Sequence, residues 1–539
     1  MEDPYRPGRE PLSHAVIPAP VRFDARGGPG FTFRTGTVVV YADPDMAPVV
    51  ERFCSEITRR TGLRLAPVAG RAVPAEPSVK IELAAGDELG ALPAPIGISP
   101  DGDDPADERH SLAIDGDQVL VRAVAPAGVA RGLTTLTQLL AASPSSDAGD
   151  IPVPGARILD APRYAWRGLS LDLARAWLSV EEIRRVIDLL ALYKLNVLHL
   201  HLTDDQSWRL PVGRPAGRAE PGAAFYSGED LRALAGYAAD RFVTIVPEVD
   251  TPGHASALVR LHPALNTGRN DVEFELLPGH KHPAVWLDPE LPATFELIEQ
   301  VLAGVAAIFP GPYIHIGGDE PRGMPHDLYS SYVTRVRRIV RSLGKRPLGW
   351  QESARAGLGP DDLIQYWFTD IALPASLPPQ ARAQMDADLA LSRRDVEAAA
   401  AASVPVIVSP LSHCYLDVPY AEPSADPAQA DRQGRAGLRL YAPKTVAESF
   451  EWEPGEALGP GRAAQVAGVE AAIWAETISG FDDLSFLLLP RLAGVACKAW
   501  SAPQAAGWTG HRDRLARHGR LWAQDNLTYF RTSTVDWLL

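Results

Sequence analysis

Eight short apolar runs, most followed by a helical stretch, point to an α/β protein: a (β/α)8 TIM barrel preceded by a small α+β domain. Two observations support that class. Up to about residue 160, β-like runs are interleaved with only two helical segments, whereas after Asp160-Ala161-Pro162 the rhythm becomes strand then helix, repeated. Polar and aromatic residues also gather just past the ends of the later runs, where a barrel exposes them at one mouth.

In chain order, the first 14 residues are polar and rich in Pro and Gly, as in a flexible tail. Residues 15–161 form the α+β domain, with strands at Thr37–Tyr41, Val79–Leu83, Ser111–Ile114 and Gln118–Arg122 and helices at Met46–Thr61 and Ala127–Ala141. Asp115-Gly116-Asp117 supplies a hairpin turn between the last two strands. The barrel occupies 162–503. Its strands are Gly168–Leu173, Asn196–Leu202, Thr244–Val249, Tyr313–Gly317, Pro347–Trp350, Leu363–Trp367, Val406–Pro410 and Glu470–Trp474. The Ala- and Pro-rich region Phe368–Ser403 reads as an insertion ahead of strand seven, and residues 504–539 as a helical extension packing on the barrel.

The balance of 52 Lys+Arg against 67 Asp+Glu, a formal charge of -15, argues against a nucleic-acid or anionic-membrane partner. Cys54, Cys414 and Cys497 are far apart with no CxxC spacing, so neither a disulfide framework nor a zinc site is indicated. No apolar stretch is long enough to span a bilayer and the start lacks an apolar signal core, so a cytoplasmic location is expected unless an export signal was removed. A neutral or polar small molecule is the expected partner; monomer and homodimer are both open.

The most informative stretch is Tyr313-Ile314-His315-Ile316-Gly317-Gly318-Asp319-Glu320. A strand breaks at two glycines and presents adjacent carboxylates; held in different environments, such a pair gives one site both a proton donor and a charge stabiliser. Taken alone, the stretch reads equally as an acidic helix start. The other strand ends contribute Asp172 and Arg175, Asp204 and Asp205, Glu248, Asp250 and His254, Trp350 and Glu352, Trp367, Tyr415 and Asp417, and Trp474 and Glu476. Carboxylates, an Arg and several Trp at one mouth describe a carbohydrate pocket, in which aromatic faces stack on sugar C–H surfaces and charged groups take hydroxyls. His199 and His201 alternate on strand two as metal ligands might in a barrel amidohydrolase, but the later strand ends offer Trp and Tyr, so no metal and no cofactor are expected.

Four of these blocks, Arg167–Asp172, Asn196–Arg209, Pro247–His254 and His315–Glu320, resemble the signatures of glycoside hydrolase family 20, whose best-known members are the β-N-acetylhexosaminidases. The likeness runs from about Ile17 to about Ser501. It implies an exo-acting, retaining, substrate-assisted hydrolase of terminal β-linked N-acetylglucosamine or N-acetylgalactosamine. By that likeness Glu320 is the acid and base and Asp319 positions the 2-acetamido group. Tyr415 donates to the acetamido oxygen, and Trp350, Trp367 and Trp474 box its methyl. Arg175 and Glu476 bind the 3- and 4-hydroxyls, Asp417 binds the 6-hydroxyl, and Trp452 borders the aglycone. Asp204 and His254 orient Glu320. Alternatives are a disaccharide-releasing or 6-sulfo-sugar relative and a non-catalytic sugar-binding barrel. After Arg175 the family's usual His and aromatic are replaced by Ala176-Trp177, which puts the support of Arg175 in question.

Overall fold

The computed structural model describes residues 15–538 apart from 27–29, 71–76, 85, 104, 147–148, 216–223, 278–279, 370–376 and 506. The expected tail, 1–14, lies outside the described residues.

The N-terminal region is a mixed sheet with two main helices. Its strands are β1 (Arg22–Ala25), β2 (Phe31–Phe33), β3 (Val38–Tyr41), β4 (Ala66–Ala69), β5 (Ser78–Leu83), β6 (His110–Ile114), β7 (Gln118–Ala123), β8 (Ile151–Val153) and β9 (Ala156–Asp160). Seven of them pair in the order β1-β9-β6-β7-β5-β3-β4, while β2 and β8 form a separate ribbon. The expected hairpin is the antiparallel β6–β7 pair closed at Asp115-Gly116-Asp117. The helices Ala47–Thr61 and Pro126–Ala142 pack apolar faces against the sheet, burying Phe53 and Ile57 from one and Leu136 and Leu140 from the other.

Eight parallel strands then close into a barrel: β10 (Trp166–Asp172), β11 (Val197–His201), β12 (Thr244–Glu248), β15 (Tyr313–His315), β16 (Arg346–Trp350), β17 (Leu363–Tyr366), β18 (Val406–Val408) and β19 (Val466–Ile473). All eight are those expected from the sequence. Between β12 and β15 runs a hairpin, β13 (Asp271–Leu277) and β14 (His280–Val285), that was not expected. Phe368–Ser403 is not an insertion as a whole. Beyond the undescribed 370–376 it is largely the helix Pro379–Ala401, the ordinary crossover from β17 to β18. Its weak apolar stripe and the prolines at its start, Pro378 and Pro379, hide its earlier part, although Pro at a first helical position is favourable, whereas Asp395–Ala402 does read as helical in the sequence.

The two regions are joined by buried charge. Glu108, beside β6, accepts from Arg131 Nε at 2.6 Å and from Arg167 Nη2, on β10, at 2.7 Å. Asp160 accepts from Lys194 Nζ at 2.7 Å and from the Trp500 indole at 2.9 Å. The helix Trp508–Gln524 buries Trp522, whose indole donates to the Tyr193 hydroxyl at 2.6 Å, and Asp525 just beyond it pairs with Arg60 at 2.9 Å.

Candidate active site

The acid pair sits where β15 ends. Gly317 and Gly318 turn the chain at φ +69° and +97°, and a Cβ on Gly317 would lie 1.8 Å from Asp250 Oδ1, so glycine is required there both by conformation and by space. Glu320 and His254 themselves hold left-handed backbones at φ +41° and +49°, the strain that tends to be kept where side-chain aim matters.

Beneath the pair runs a continuous polar chain. Glu248, fully buried, accepts from His201 Nδ1 at 2.5 Å and from the Trp350 indole at 2.8 Å, with His199 Nε2 and His315 Nδ1 at 3.1 and 3.0 Å. His199 also meets Glu470 at 2.9 Å. His201 Nε2 reaches Asp204 Oδ2 at 2.9 Å, and Asp204 Oδ1 lies 3.2 Å from His254 Nδ1. His254 Nε2 then stands 3.6 Å from Asp319 and 3.9 Å from Glu320. The strand-two histidines thus face carboxylates on both ring sides. Burial opposes charge on His254, but the carboxylates of Asp204, Asp319 and Asp250 outweigh it and hold the imidazole well above its ordinary pKa.

Arg175 forms ion pairs with Asp204 at 2.7 Å, Asp172 at 3.1 Å and Glu476 at 3.5 Å. Its support comes from these acids; of the unusual Ala176-Trp177, Ala176 is buried in the core and Trp177 is exposed, stacking on Tyr226 at 4.4 Å. An aromatic wall closes the other side. Tyr415 lies parallel to Trp367 at 6.0 Å and edge-on to Trp474 at 5.9 Å, and Trp350 meets Trp474 at 5.9 Å. Trp367 is fixed by its indole donating to Glu352 at 3.2 Å and its backbone N–H to Gln351 at 2.9 Å.

Several buried carboxylate oxygens here have no hydrogen-bond partner among the described residues: Asp319 Oδ1, Asp417 Oδ2 and Asp250 Oδ2. Buried acceptors of this kind can take a hydroxyl or amide donor. Burial and neighbouring Glu476 raise Asp417 to about 8. Burial, with Glu248 and Glu320 nearby, raises Asp319 to about 6 in spite of His254. Glu320 moves the other way: burial would lift it, but Arg322, whose Nη2 donates to Glu320 Oε1 at 2.6 Å, and His254 bring it below the usual carboxylate range.

Eleven of the twelve site residues read from the sequence lie on or beside these strand ends. The exception is Trp452. It stacks on His413 at 5.5 Å and packs on the main barrel core, just after the helix Val446–Phe450 that lies against the outer helix Arg491–Trp500. It precedes β19 rather than following a strand end. A pocket of about 430 Å³ beside Glu320 is bordered instead by Leu440 and Tyr441. Arg322, Gln351 and these two residues were missed; Leu440 and Tyr441 lie on a loop with no positional hint, whereas Arg322 stands two residues past the acid and Gln351 opens the short 3-10 helix directly after Trp350.

A family model described as the catalytic domain of glycosyl hydrolase family 20 matches residues 164–503, and one described as domain 2 of that family matches 13–161. The chain belongs to glycosyl hydrolase family 20. This family 20 glycoside hydrolase is 34% identical to a β-N-acetylhexosaminidase of Cellulomonas fimi over 97% of each chain. It superposes on the family 20 β-N-acetylhexosaminidase of Streptomyces coelicolor A3(2) with a TM-score of 0.78 at 32% identity, covering 98% of this chain and 99% of that one. A variant of the Streptomyces plicatus β-hexosaminidase, solved with its product N-acetylglucosamine, gives 0.79 at 31% identity over 99% of this chain and 100% of the other.

Proposed function

We propose that the enzyme is an exo-acting β-N-acetylhexosaminidase that removes terminal β-linked N-acetylglucosamine or N-acetylgalactosamine with retention, the substrate's own acetamido oxygen being the nucleophile. One observation carries this: the carboxylates of Asp319 and Glu320 stand beside an aromatic box made by Trp350, Trp367, Trp474 and Tyr415, so that an acetamide and a glycosidic oxygen can be met by adjacent acids. The hexosaminidase names of the relatives above support the same activity.

In this scheme the acetamido oxygen attacks the anomeric carbon as the glycosidic C–O bond breaks, and Glu320 delivers a proton to the departing oxygen. The resulting oxazolinium ion is opened by water, whose proton returns to Glu320. Asp319, through its unpaired Oδ1, accepts the acetamido N–H and offsets the positive charge as it grows. The Tyr415 hydroxyl donates to the acetamido oxygen. Arg175 and Glu476 take the 3- and 4-hydroxyls and Asp417, with its unpaired Oδ2, the 6-hydroxyl.

Without sugar the pair is set the opposite way, with Glu320 ionised on Arg322 and Asp319 raised. A bound sugar acts on both groups: it gives Asp319 a donor that favours the ionised form, and it shields Glu320 from water, which favours the protonated form.

The test compares nitrophenyl β-N-acetylglucosaminide with the matching β-glucoside. The first should be hydrolysed with the β-anomer of N-acetylglucosamine appearing first by NMR, and the second hardly at all; no turnover of the first removes the proposal. Glu320→Gln should lower the rate by about 10²- to 10⁴-fold without loss of fold. Full activity in Asp319→Asn would rule out substrate assistance.

A further inference from the structure

The stripe that the crossover helix Pro379–Ala401 turns inward is interrupted by polar residues. Asp388, Ser392 and Asp395 recur at spacings of four and three between the buried Met385 and Ala399, where a barrel helix is ordinarily apolar. Each of the three reaches a loop at the barrel mouth. Asp395 takes Arg355 Nη2 at 2.8 Å, Ser392 Oγ donates to the Phe368 carbonyl at 2.6 Å, and Asp388 Oδ2 lies 3.6 Å from Arg322 Nη1. Gln384, one turn earlier, donates from Nε2 to Asp388 Oδ1 at 2.9 Å and so steadies that carboxylate from its own helix.

Arg322 links this helix to the reaction. Its Nη2 donates to Glu320 Oε1 at 2.6 Å while Nη1 faces Asp388, so one guanidinium is divided between the acid and the helix. Glu352 also lies near Arg322, but burial pushes it up to about 8, so it carries little charge at the lower pH at which Asp319 titrates. Glu320 is faced as well by His254 at 3.9 Å, by Arg175, by the adjacent Asp319 and by the Tyr441 hydroxyl. Those groups stand on loops of the barrel, so the helix acts on the acid through Arg322. A carboxylate at position 388 draws off part of the positive charge that Arg322 would otherwise place on Glu320.

We infer that Asp388 is a positioning residue: by holding one side of Arg322 it keeps Glu320 available as the proton donor to the leaving group. The inference rests on the proposed hexosaminidase activity and the acid role of Glu320 in it. The experiment measures kcat/KM against pH for N,N′-diacetylchitobiose, whose alcohol leaving group needs a proton, over the range in which circular dichroism shows each protein folded. Asp388→Asn should move the acid limb to lower pH by about half a pH unit or more, the effect of one neighbouring charge at partial exposure. It should also lower the maximal kcat/KM by about threefold or more, because the form with Glu320 protonated becomes scarcer. Asp388→Glu should restore both. In an Arg322→Gln background the same Asp388→Asn change should alter kcat/KM by less than about twofold, since the guanidinium that joins it to the acid is gone. A residue that only supports the helix would lose the same factor in both backgrounds. Equal losses in the two backgrounds, or an acid limb that stays in place or moves to higher pH in Asp388→Asn, overturn the inference. So does a wild type that turns over the nitrophenyl substrate but not chitobiose, for then Glu320 is not an available donor. If neither substrate is turned over, the hexosaminidase assignment itself falls, and the inference with it.

Discussion

At the scale of single residues, the site is governed by which neighbours each carboxylate has. Asp319, raised to about 6, must be ionised to hold the acetamido N–H, and Glu320, which Arg322 depresses in the free enzyme, must be protonated, so the competent form is the minority one and kcat/KM should be greatest between the two values. It should fall as the pH rises above about 6, and fall again as the pH drops below the depressed value of Glu320. Arg322→Gln removes the depressing charge at 2.6 Å and should carry the acid limb of the profile to higher pH, while leaving the alkaline limb in place. A profile in which both limbs move together, or neither moves, would contradict this division. His254, kept protonated by Asp204 and its other carboxylate neighbours, links the pair to the barrel floor; His254→Ala should shift both limbs.

At the scale of elements, the β15 turn decides where the acids point. Gly317→Ala would cost about 1–2 kcal/mol for a left-handed backbone alone, and its Cβ would collide with Asp250, so both thermal stability and turnover should drop sharply. Wild-type activity in that variant would show that the turn is not what aims Asp319 and Glu320. The elements that build this site were legible in the sequence because parallel barrel strands, covered on both faces, are short continuous apolar runs ending in polar residues. What escaped had weaker local signals. The part of the helix Pro379–Ala401 ahead of Asp395 is Ala-rich with little amphipathic contrast, and the pairing of β13 with β14 is a tertiary outcome. Trp452, which the family likeness sets beside the aglycone, lies ahead of β19 rather than behind a strand end and stacks on His413. Leu440 and Tyr441, which border the pocket beside Glu320, come from an irregular loop with no period to read.

At the scale of the whole molecule, the N-terminal sheet and the barrel are held together by charges shut away from water, and that makes their union sensitive to losing one partner. Glu108 is buried between Arg131 and Arg167, one from each region. Burial alone would raise its pKa, yet the two guanidiniums hold it below the usual carboxylate range. Glu108→Gln would leave two buried arginines without a counter-charge, a loss of about 3–5 kcal/mol, and should lower the thermal midpoint while barely changing kcat/KM at temperatures where the fold persists. Because the folded-state pKa is depressed, Glu108's contribution is complete above the ordinary carboxylate range and disappears as the pH falls through the depressed value. The thermal midpoint of the wild type should therefore decline on acidification more steeply than that of Glu108→Gln, so that the two curves converge at low pH. Parallel curves would show that the buried pair does not carry the acid sensitivity of this interface.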